Sequence, residues 1–175
     1  MMKVIFIGGV HGVGKSTACS RAVDDLSCLH VRASDVIRQE RSNAIATHGK
    51  LVEDVSGNQE LLLQGFDRIK SSSTTKCILL DGHYALRDSS RTIQLLPVTV
   101  FQGLGLSGLV CLENDPSVIV QRINARGGYS VSIEEVSELQ KAELEHAEAV
   151  SKALSLPLSI LRENELNNFL QSIVC

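Results

Sequence analysis

The chain has 175 residues with no Pro/Gly/Ser-rich linker, so we expect a single domain over 1–175. Its 17 basic and 20 acidic residues give a net charge of −3, which excludes a general attraction to nucleic acid or to an anionic membrane. It contains neither a run of 18 apolar residues nor a signal-peptide pattern, and we therefore expect a cytoplasmic protein. Hydrophobic residues make up 43% of the chain but aromatic residues only 3%, which favours an aliphatic core of buried parallel strands covered by helices.

The cysteines and histidines do not indicate a metal or redox site. The five cysteines are scattered without a CxxC pair, which is typical of buried or idle thiols. The five histidines lack an HExxH or similar ligand spacing, so no transition-metal site built by protein ligands is indicated.

The first half of the chain alternates between predicted strands and helices. In chain order we predict a strand at 3–8 (KVIFIG), a helix at 14–27, a strand at 29–34 (LHVRAS), a helix from Ser34 to about 43 and a helix from about 57 to 70. Ser56 and Gln59 have the spacing of a capping box at the start of the last of these helices.

The second half continues the alternation. We predict strands at 77–81 (CILLD), 108–113 (GLVCLE) and 157–161 (PLSIL), and helices at 116–125, from Ser132 to about 154, and at 164–173. Asp115 followed by Pro116 is typical of a helix N-cap and first turn, and Ser132 with Glu135 forms a second capping-box pattern. No structure is predicted for 86–105.

Strands that alternate with helices pair in parallel through right-handed crossovers. The predicted fold is therefore α/β, with three layers and a parallel sheet of about five strands. In such sheets ligands bind at the carboxyl ends of the strands, where the functional residues are expected.

One glycine-rich stretch carries a specific chemical signal. Gly9, Gly14, Lys15 and Ser16 match GxxxxGK[ST] between a predicted strand and a predicted helix, which is the context of a phosphate-binding loop (P-loop). Glycines allow backbone N–H groups to surround phosphate, the lysine contacts the β- and γ-phosphates, and the Ser16 hydroxyl is placed to bind Mg²⁺. We predict ATP and Mg²⁺ as ligands, with the loop formed by Gly9, Val10, His11, Gly12, Val13, Gly14, Lys15, Ser16 and Thr17.

The positions of His11 and Asp81 in the sequence indicate what each residue does. His11 lies inside the loop, where the motif requires no particular residue, so we interpret it as a passive member of the loop. Asp81 ends the apolar run CILLD and is a candidate for the acidic residue that, with Ser16, holds Mg²⁺ at the end of a neighbouring strand.

Four short segments together resemble a known family. GGVHGVGKST, SDVIR at 34–38, DGH at 81–83 and RINAR at 122–126 occur in the order and approximate spacing of small nucleoside monophosphate kinases. The chain is similar in particular to archaeal-type adenylate kinases and their bacterial relatives, over nearly its whole length. The resemblance implies a P-loop kinase fold and transfer of the γ-phosphoryl of ATP to the phosphate of an acceptor nucleotide.

The resemblance also implies roles for residues outside the loop. It places Ser34, Asp35 and Arg38 in the acceptor pocket, where the guanidinium of Arg38 grips the acceptor's phosphate in two-point geometry. It also makes His83 a residue that hydrogen-bonds a phosphate or orients Asp81, although a core histidine is an equal alternative.

A short lid near 122–131 is the last expected part. Arg122 and Arg126 lie four residues apart just before a glycine pair, and a lid hinged there would bring both guanidiniums onto the transferring phosphoryl group. With Lys15 and Asp81, these two arginines are the predicted catalytic residues.

Three functions remain open from the sequence. The first is a nucleotide kinase, most favoured for monophosphates, which needs no general base. The second is a small-metabolite kinase acting on an alcohol, in which a residue such as Asp35 would take the hydroxyl proton. The third is an ATP-binding regulator or assembly factor with weak ATPase activity. The expected partner is a nucleotide or another small phosphoryl acceptor, and the sequence does not determine the oligomeric state.

Overall fold

The computed structural model describes residues 2–48, 55–127 and 130–174. Its strands are β1 (Lys3–Gly8), β2 (Leu29–Arg32), β3 (Cys77–Asp81), β4 (Ala85–Arg87), β5 (Ile93–Leu95), β6 (Gly108–Leu112) and β7 (Leu158–Leu161). Its helices are α1 (Lys15–Leu26), α2 (Ala33–His48), α3 (Val55–Ser72), α4 (Val98–Leu104), α5 (Pro116–Arg126), α6 (Ile133–Leu154) and α7 (Leu166–Val174).

Five strands form one parallel sheet in the order β2-β3-β1-β6-β7, as predicted. The central strands β1, β3 and β6 are almost entirely buried because helices cover both faces of the sheet. Ile7 of β1 pairs with Asp81 of β3, so the two strands end side by side. The loop that follows β1 therefore lies next to the carboxylate that ends β3.

Alternating side chains of β1 divide the core into two halves. Val4 and Phe6 pack on the face covered by α2, α3, α4 and α6, while Ile5 and Ile7 pack on the face covered by α1, α5 and α7. The chain thus has the three-layer α/β architecture that its alternating pattern predicted.

The two helix starts in the second half are as predicted. The Asp115 carboxylate accepts a hydrogen bond from the Ser117 N–H and caps α5. At α6 the Ser132 hydroxyl accepts from the Glu135 N–H while the Glu135 carboxylate accepts from the Ser132 N–H, which completes the capping box.

Two boundaries in the first half differ from the prediction. Helix α2 begins directly after Arg32 and runs to His48, so residues 33–34 belong to the helix rather than to the strand and the helix outlasts position 43. Polar residues favour helix starts, and no glycine or proline occurs in 33–48 to stop the helix. Ser56 lies inside α3, so its predicted capping role is wrong.

The segment left open by the sequence forms a hairpin and a short helix. Strands β4 and β5 pair antiparallel, and the Asp88 carboxylate in their turn accepts hydrogen bonds from the N–H groups of Ser90 and Thr92. Each strand has only three residues, too few to display a period of two, so the pattern carried no usable signal.

Other sequence expectations concern the cysteines and membranes. Cys19, Cys28, Cys77 and Cys111 are buried, as predicted, and Cys175 lies outside the described residues. Within residues 2–48, 55–127 and 130–174, no helix has the length and apolar character needed to cross a bilayer.

The capping box of α6 generates a stability prediction. Replacing Ser132 with alanine leaves the Glu135 N–H without its side-chain acceptor, and we expect the free energy of unfolding to fall by about 1 kcal/mol in urea denaturation. Ser137→Ala is the control, since Ser137 is an exposed residue inside the same helix. Alanine is the better helix former there, so stability should rise by a few tenths of a kcal/mol. Equal effects at both positions would contradict the capping role.

Candidate active site

The P-loop connects the end of β1 to the start of α1. Gly9 has φ 138° and Gly14 has φ 111°, in the region that side chains other than glycine rarely adopt. A Cβ on Gly9 would lie 2.6 Å from the carbonyl oxygen of Leu112, so close approach as well as torsion requires glycine there. Gly14 is the N-cap residue of α1 and has no side chain to cap it, so the first N–H groups of the helix face outward as an anion site.

The ammonium group of Lys15 lies inside this loop. The residue is only 7% exposed, and its Nζ donates to the carbonyl oxygens of Gly9 at 2.5 Å and Val10 at 3.2 Å. Burial lowers the pKa of Lys15, and the nearby carboxylates of Asp81 and Glu143 oppose that effect. A cation held this way is available to phosphate oxygens entering the loop.

Ser16 and Asp81 meet as predicted. The Ser16 hydroxyl donates to Oδ2 of Asp81 at 2.8 Å, and Nε2 of His30 lies 3.4 Å from the same oxygen. Burial raises the pKa of Asp81, but hydrogen bonds from His30 and Ser16 and the charge of Lys15 outweigh it, so the pKa lies below its ordinary value. An ionised carboxylate beside a hydroxyl is an oxygen donor set that fits Mg²⁺.

His83 faces His11 of the P-loop and is anchored from behind by Glu143. The two imidazole ring centres are 4.8 Å apart. Nδ1 of His83 lies 3.0 Å from Oε1 of Glu143, whose Oε2 accepts the backbone N–H of Tyr84 at 2.9 Å. Glu143 is completely buried.

Glu143 is not among the functional residues that the sequence predicted. Its position carried a signal, since it lies seven residues after Val136 and four before Ala147, which are both buried. That spacing places it on the apolar stripe of the helix.

The α5 arginines have different surroundings. Arg122 forms a two-point ion pair with Glu163, with N–O distances of 2.9 and 2.6 Å, and also donates to the carbonyl oxygen of Val13 at 3.2 Å. The ion pair raises the pKa of Arg122. Arg126 lines the cleft of the P-loop together with His11 and Lys15. The structure brings Arg126 to the loop cleft and ties Arg122 to Glu163 and to a carbonyl of the loop, and the closing of both guanidiniums onto the phosphoryl group stays a prediction.

Three of the predicted acceptor residues, Ser34, Asp35 and Arg38, lie on the first two turns of α2. Oδ1 of Asp35 accepts a hydrogen bond from Arg38 at 2.7 Å, and the side chains are 46% and 75% exposed, respectively. Ser34 is also exposed. Arg32, at the end of β2, pairs with Asp81, so the three residues start from the same edge of the sheet as the P-loop.

A cavity of about 390 Å³ lies between the P-loop, the β4–β5 hairpin and the start of α6. His11 and His83 line it beside the loop, and Arg87 and Arg91 line it from the hairpin. Its apolar lining includes Leu86, Ile123, Val131, Val136 and Leu139. Asp35 and Arg38 are not among its lining residues, and of the predicted acceptor residues the cavity contains His83.

Comparison with known proteins gives matches over most of the chain. A family model described as an AAA domain matches residues 8–140. The chain is 28% identical to adenylate kinase isoenzyme 1 of Homo sapiens over 156 residues, which cover 82% of this chain and 74% of that protein. It is 39% identical to the UMP-CMP kinase of Danio rerio over 51 residues, which cover 29% of this chain and about a quarter, 26%, of that relative's length.

The structural match establishes the fold. The shikimate kinase from Acinetobacter baumannii superimposes with a TM-score of 0.58 at 14% identity, covering 99% of this chain and 92% of that one. Together the matches confirm the fold class and the resemblance to P-loop nucleoside monophosphate kinases that the four motifs predicted.

The environment of His11 predicts a pH effect. Burial, as the largest cause, and the positive charges of His83 and Lys15 together lower its pKa from 6.5 to about 4. Since unfolded His11 binds a proton at higher pH than the folded residue, its contribution to stability is complete above pH 6.5 and is lost as the pH falls towards about 4.

An NMR titration of the His11 ring should therefore have a midpoint near pH 4. In His11→Gln the decline of the unfolding free energy between pH 6.5 and 4 should be shallower than in the wild type. A midpoint close to 6.5 would show that the ring is not shielded as the structure has it.

Proposed function

The chain belongs to the AAA domain family of P-loop proteins, and we propose that it is an ATP-dependent phosphotransferase that passes the γ-phosphoryl group to an acceptor phosphate, as a nucleoside monophosphate kinase does. One observation carries the proposal: the Lys15 ammonium, the Ser16 hydroxyl and the Asp81 carboxylate converge at the carboxyl edge of the sheet. A glycine-rich turn without phosphate chemistry has no need of a buried ammonium next to a buried carboxylate, because both groups cost free energy to bury.

ATP would bind across the P-loop. The backbone N–H groups at the start of α1 and the Lys15 ammonium face its phosphates. The nucleoside would extend into the second cavity at the loop, which has about 400 Å³ and is lined by Thr17, Arg21 and the pair Arg122–Glu163.

Ser16 and Asp81 are the residues that would hold Mg²⁺. When bound, the ion would neutralise negative charge on the phosphates. Asp81 is suited to this role because it is buried and its pKa is held below the ordinary value.

The acceptor would approach from the side of α2. The Arg38 side chain is 75% exposed, and its hydrogen-bond partner among the described residues is Asp35 in the same helix, so its guanidinium would be free to rotate onto an acceptor phosphate. An acceptor phosphate oxygen then attacks the γ-phosphorus in line, a new P–O bond forms, and the bond to the β-phosphate oxygen breaks with its electron pair leaving on ADP. A phosphate acceptor requires no general base.

Arg126 would stabilise the charge that develops during transfer. It is the last residue of α5 and lines the same cleft as Lys15. The lid proposed for 122–131 includes residues 128 and 129, which lie outside the described residues.

Lys15 and Arg38 have separable roles, which gives the central test. Lys15→Ala should weaken both ATP binding and phosphoryl transfer, because the loop loses the charge that contacts the phosphates. Arg38→Ala should lower transfer by about a hundredfold and leave ATP affinity unchanged, since it would lose only the orientation of the acceptor. Transfer from labelled ATP is measured across AMP, CMP, UMP and a set of alcohol acceptors, and ATP affinity is measured by calorimetry.

Lys141→Ala is the control, because Lys141 lies on the exposed face of α6 and pairs with Glu145. Unaltered transfer by Arg38→Ala would remove Arg38 from the acceptor site. Transfer to an alcohol but to no monophosphate would show that the acceptor group is a hydroxyl and not a phosphate. ATP hydrolysis that no acceptor stimulates would contradict the proposed transferase function.

Substitution of the two α5 arginines should affect different steps, which are phosphoryl transfer for Arg126 and ATP binding for Arg122. Arg126→Ala should lower the single-turnover transfer rate by about a hundredfold. Arg122→Ala should instead weaken ATP binding on the order of tenfold, because the carboxylate of Glu163 beside Gly14 then faces the phosphates without its partner. The double variant Arg122→Ala/Glu163→Gln removes that charge and should regain affinity. Equal rate losses for the two single variants would contradict the different surroundings of these arginines.

A further inference from the structure

Glu143 is a completely buried carboxylate for which the proposed phosphate chemistry has no direct use. It lies on α6 and reaches the turn after β3, where His83 and Tyr84 follow the metal-binding candidate Asp81. Burying a carboxylate costs free energy unless hydrogen bonds compensate it, and an apolar side chain would pack α6 against the sheet at lower cost. The use of glutamate at this position therefore calls for a role besides packing.

Both carboxylate oxygens are engaged in a way that determines the orientation of one ring. Oε2 accepts the backbone N–H of Tyr84 at 2.9 Å, which fixes the carboxylate plane against the turn. Oε1 lies 3.0 Å from Nδ1 of His83. An ionised carboxylate has no proton to donate and can only accept from the ring, so opposite an ionised Glu143 the Nδ1 atom carries the proton in either protonation state of the imidazole.

The opposite edge of the ring is consequently set toward the active site. His83 packs against His11 of the P-loop with ring centres 4.8 Å apart, and both rings line the cavity of about 390 Å³. With Nδ1 tied to Glu143, Nε2 is the ring nitrogen left to contact a ligand there. The charged and titratable groups around this pair are Glu143 on α6, His11, Lys15 and Arg126 at the P-loop, Asp81 on β3 and Arg87 on the hairpin.

We propose that Glu143 is a positioning residue, which holds His83 with Nδ1 protonated so that Nε2 contacts the phosphoryl acceptor in the cavity between the P-loop, the β4–β5 hairpin and α6. The inference rests on the proposed phosphotransferase function, and it places the reacting end of the acceptor beside His11 and His83. Arg38 would approach the acceptor from the opposite, α2 side. Glu143 itself touches neither ATP nor acceptor and acts through His83.

Glu143→Gln tests this with little change of shape. The glutamine carbonyl can still accept the Tyr84 N–H, but its NH₂ group now donates to Nδ1 and forces the neutral ring to carry its proton on Nε2. We expect kcat to fall about ten- to hundredfold, as when buried partners that orient other active-site histidines are removed, while ATP affinity is unchanged. Glu145→Gln, on the exposed side of the same helix, should leave kcat unaltered.

A double-mutant cycle separates positioning from a structural contribution. In a His83→Gln background, Glu143→Gln should cause no further loss of kcat, because the residue through which it acts has been removed. The same fold-loss in both backgrounds, or a loss that follows a lowered Tm, would overturn the proposal in favour of a packing role.

The ring itself can be observed in the wild-type chain without any variant. Two-dimensional ¹⁵N NMR of the His83 ring should show a protonated Nδ1, and the Nε2 resonance should move when ADP is present and the acceptor is added. A neutral ring protonated on Nε2 would overturn the proposal even if Glu143→Gln did not fold. If the wild type transferred phosphate to none of the acceptors, the proposed function would be rejected. The protonation of Nδ1 would still test whether Glu143 orients the ring.

Discussion

The pairing of β1 with β3 is the constraint on which the site depends. Because Ile7 pairs with Asp81 in a parallel ladder, the loop after β1 and the carboxylate ending β3 emerge at one edge of the sheet. The Ser16 hydroxyl, one residue into the helix that follows the loop, is then within hydrogen-bond distance of Asp81. A shift of this register by one residue would turn the Asp81 side chain to the other face of the sheet and separate the two oxygen donors.

Burial of charge is the second feature of this edge. Among the described residues, the buried charged side chains are Lys15, Glu40, Asp81 and Glu143, and three of these four belong to the P-loop and its surroundings. Lys15 lies in the field of both Asp81 and Glu143, so the ammonium reduces the cost of burying each carboxylate and the carboxylates reduce the cost of burying the ammonium. Such an arrangement is preorganised, because charges already in place need little rearrangement when phosphates bind.

Two cavities adjoin the P-loop, on different sides of the site. The side toward α5 and the strand β7 holds Arg122 and Glu163 and forms one cavity at the loop. The side toward the hairpin and α6 holds His11 and His83 and forms the other. Under the proposed function the donor nucleotide would occupy the first of these cavities and the acceptor the second, and the two would meet at the P-loop.

Local patterns were enough to predict most of the fold. Continuous apolar strands, helix caps at Asp115 and Ser132 and the spacing of Gly9 to Ser16 are properties of neighbouring residues, and each was observed as predicted. The alternation of strands and helices then restricted the connections to parallel crossovers, which determines the layers. Where the local signal was weak, as in the three-residue strands of the hairpin or at the start of α3, the prediction was absent or wrong.

The partners of the charged side chains were decided only by the tertiary structure. Glu143 and His83 are 60 residues apart, and Arg122 and Glu163 are 41 apart, so neither contact follows from the pattern of its own element. A helical period indicates which residues share a face, but it does not say what packs against that face. The sequence by itself therefore determined a phosphate-binding loop on a parallel sheet. The packing of α6 on the sheet and the place of β7 at its edge decided which histidine is oriented toward the loop and which arginine is paired with Glu163.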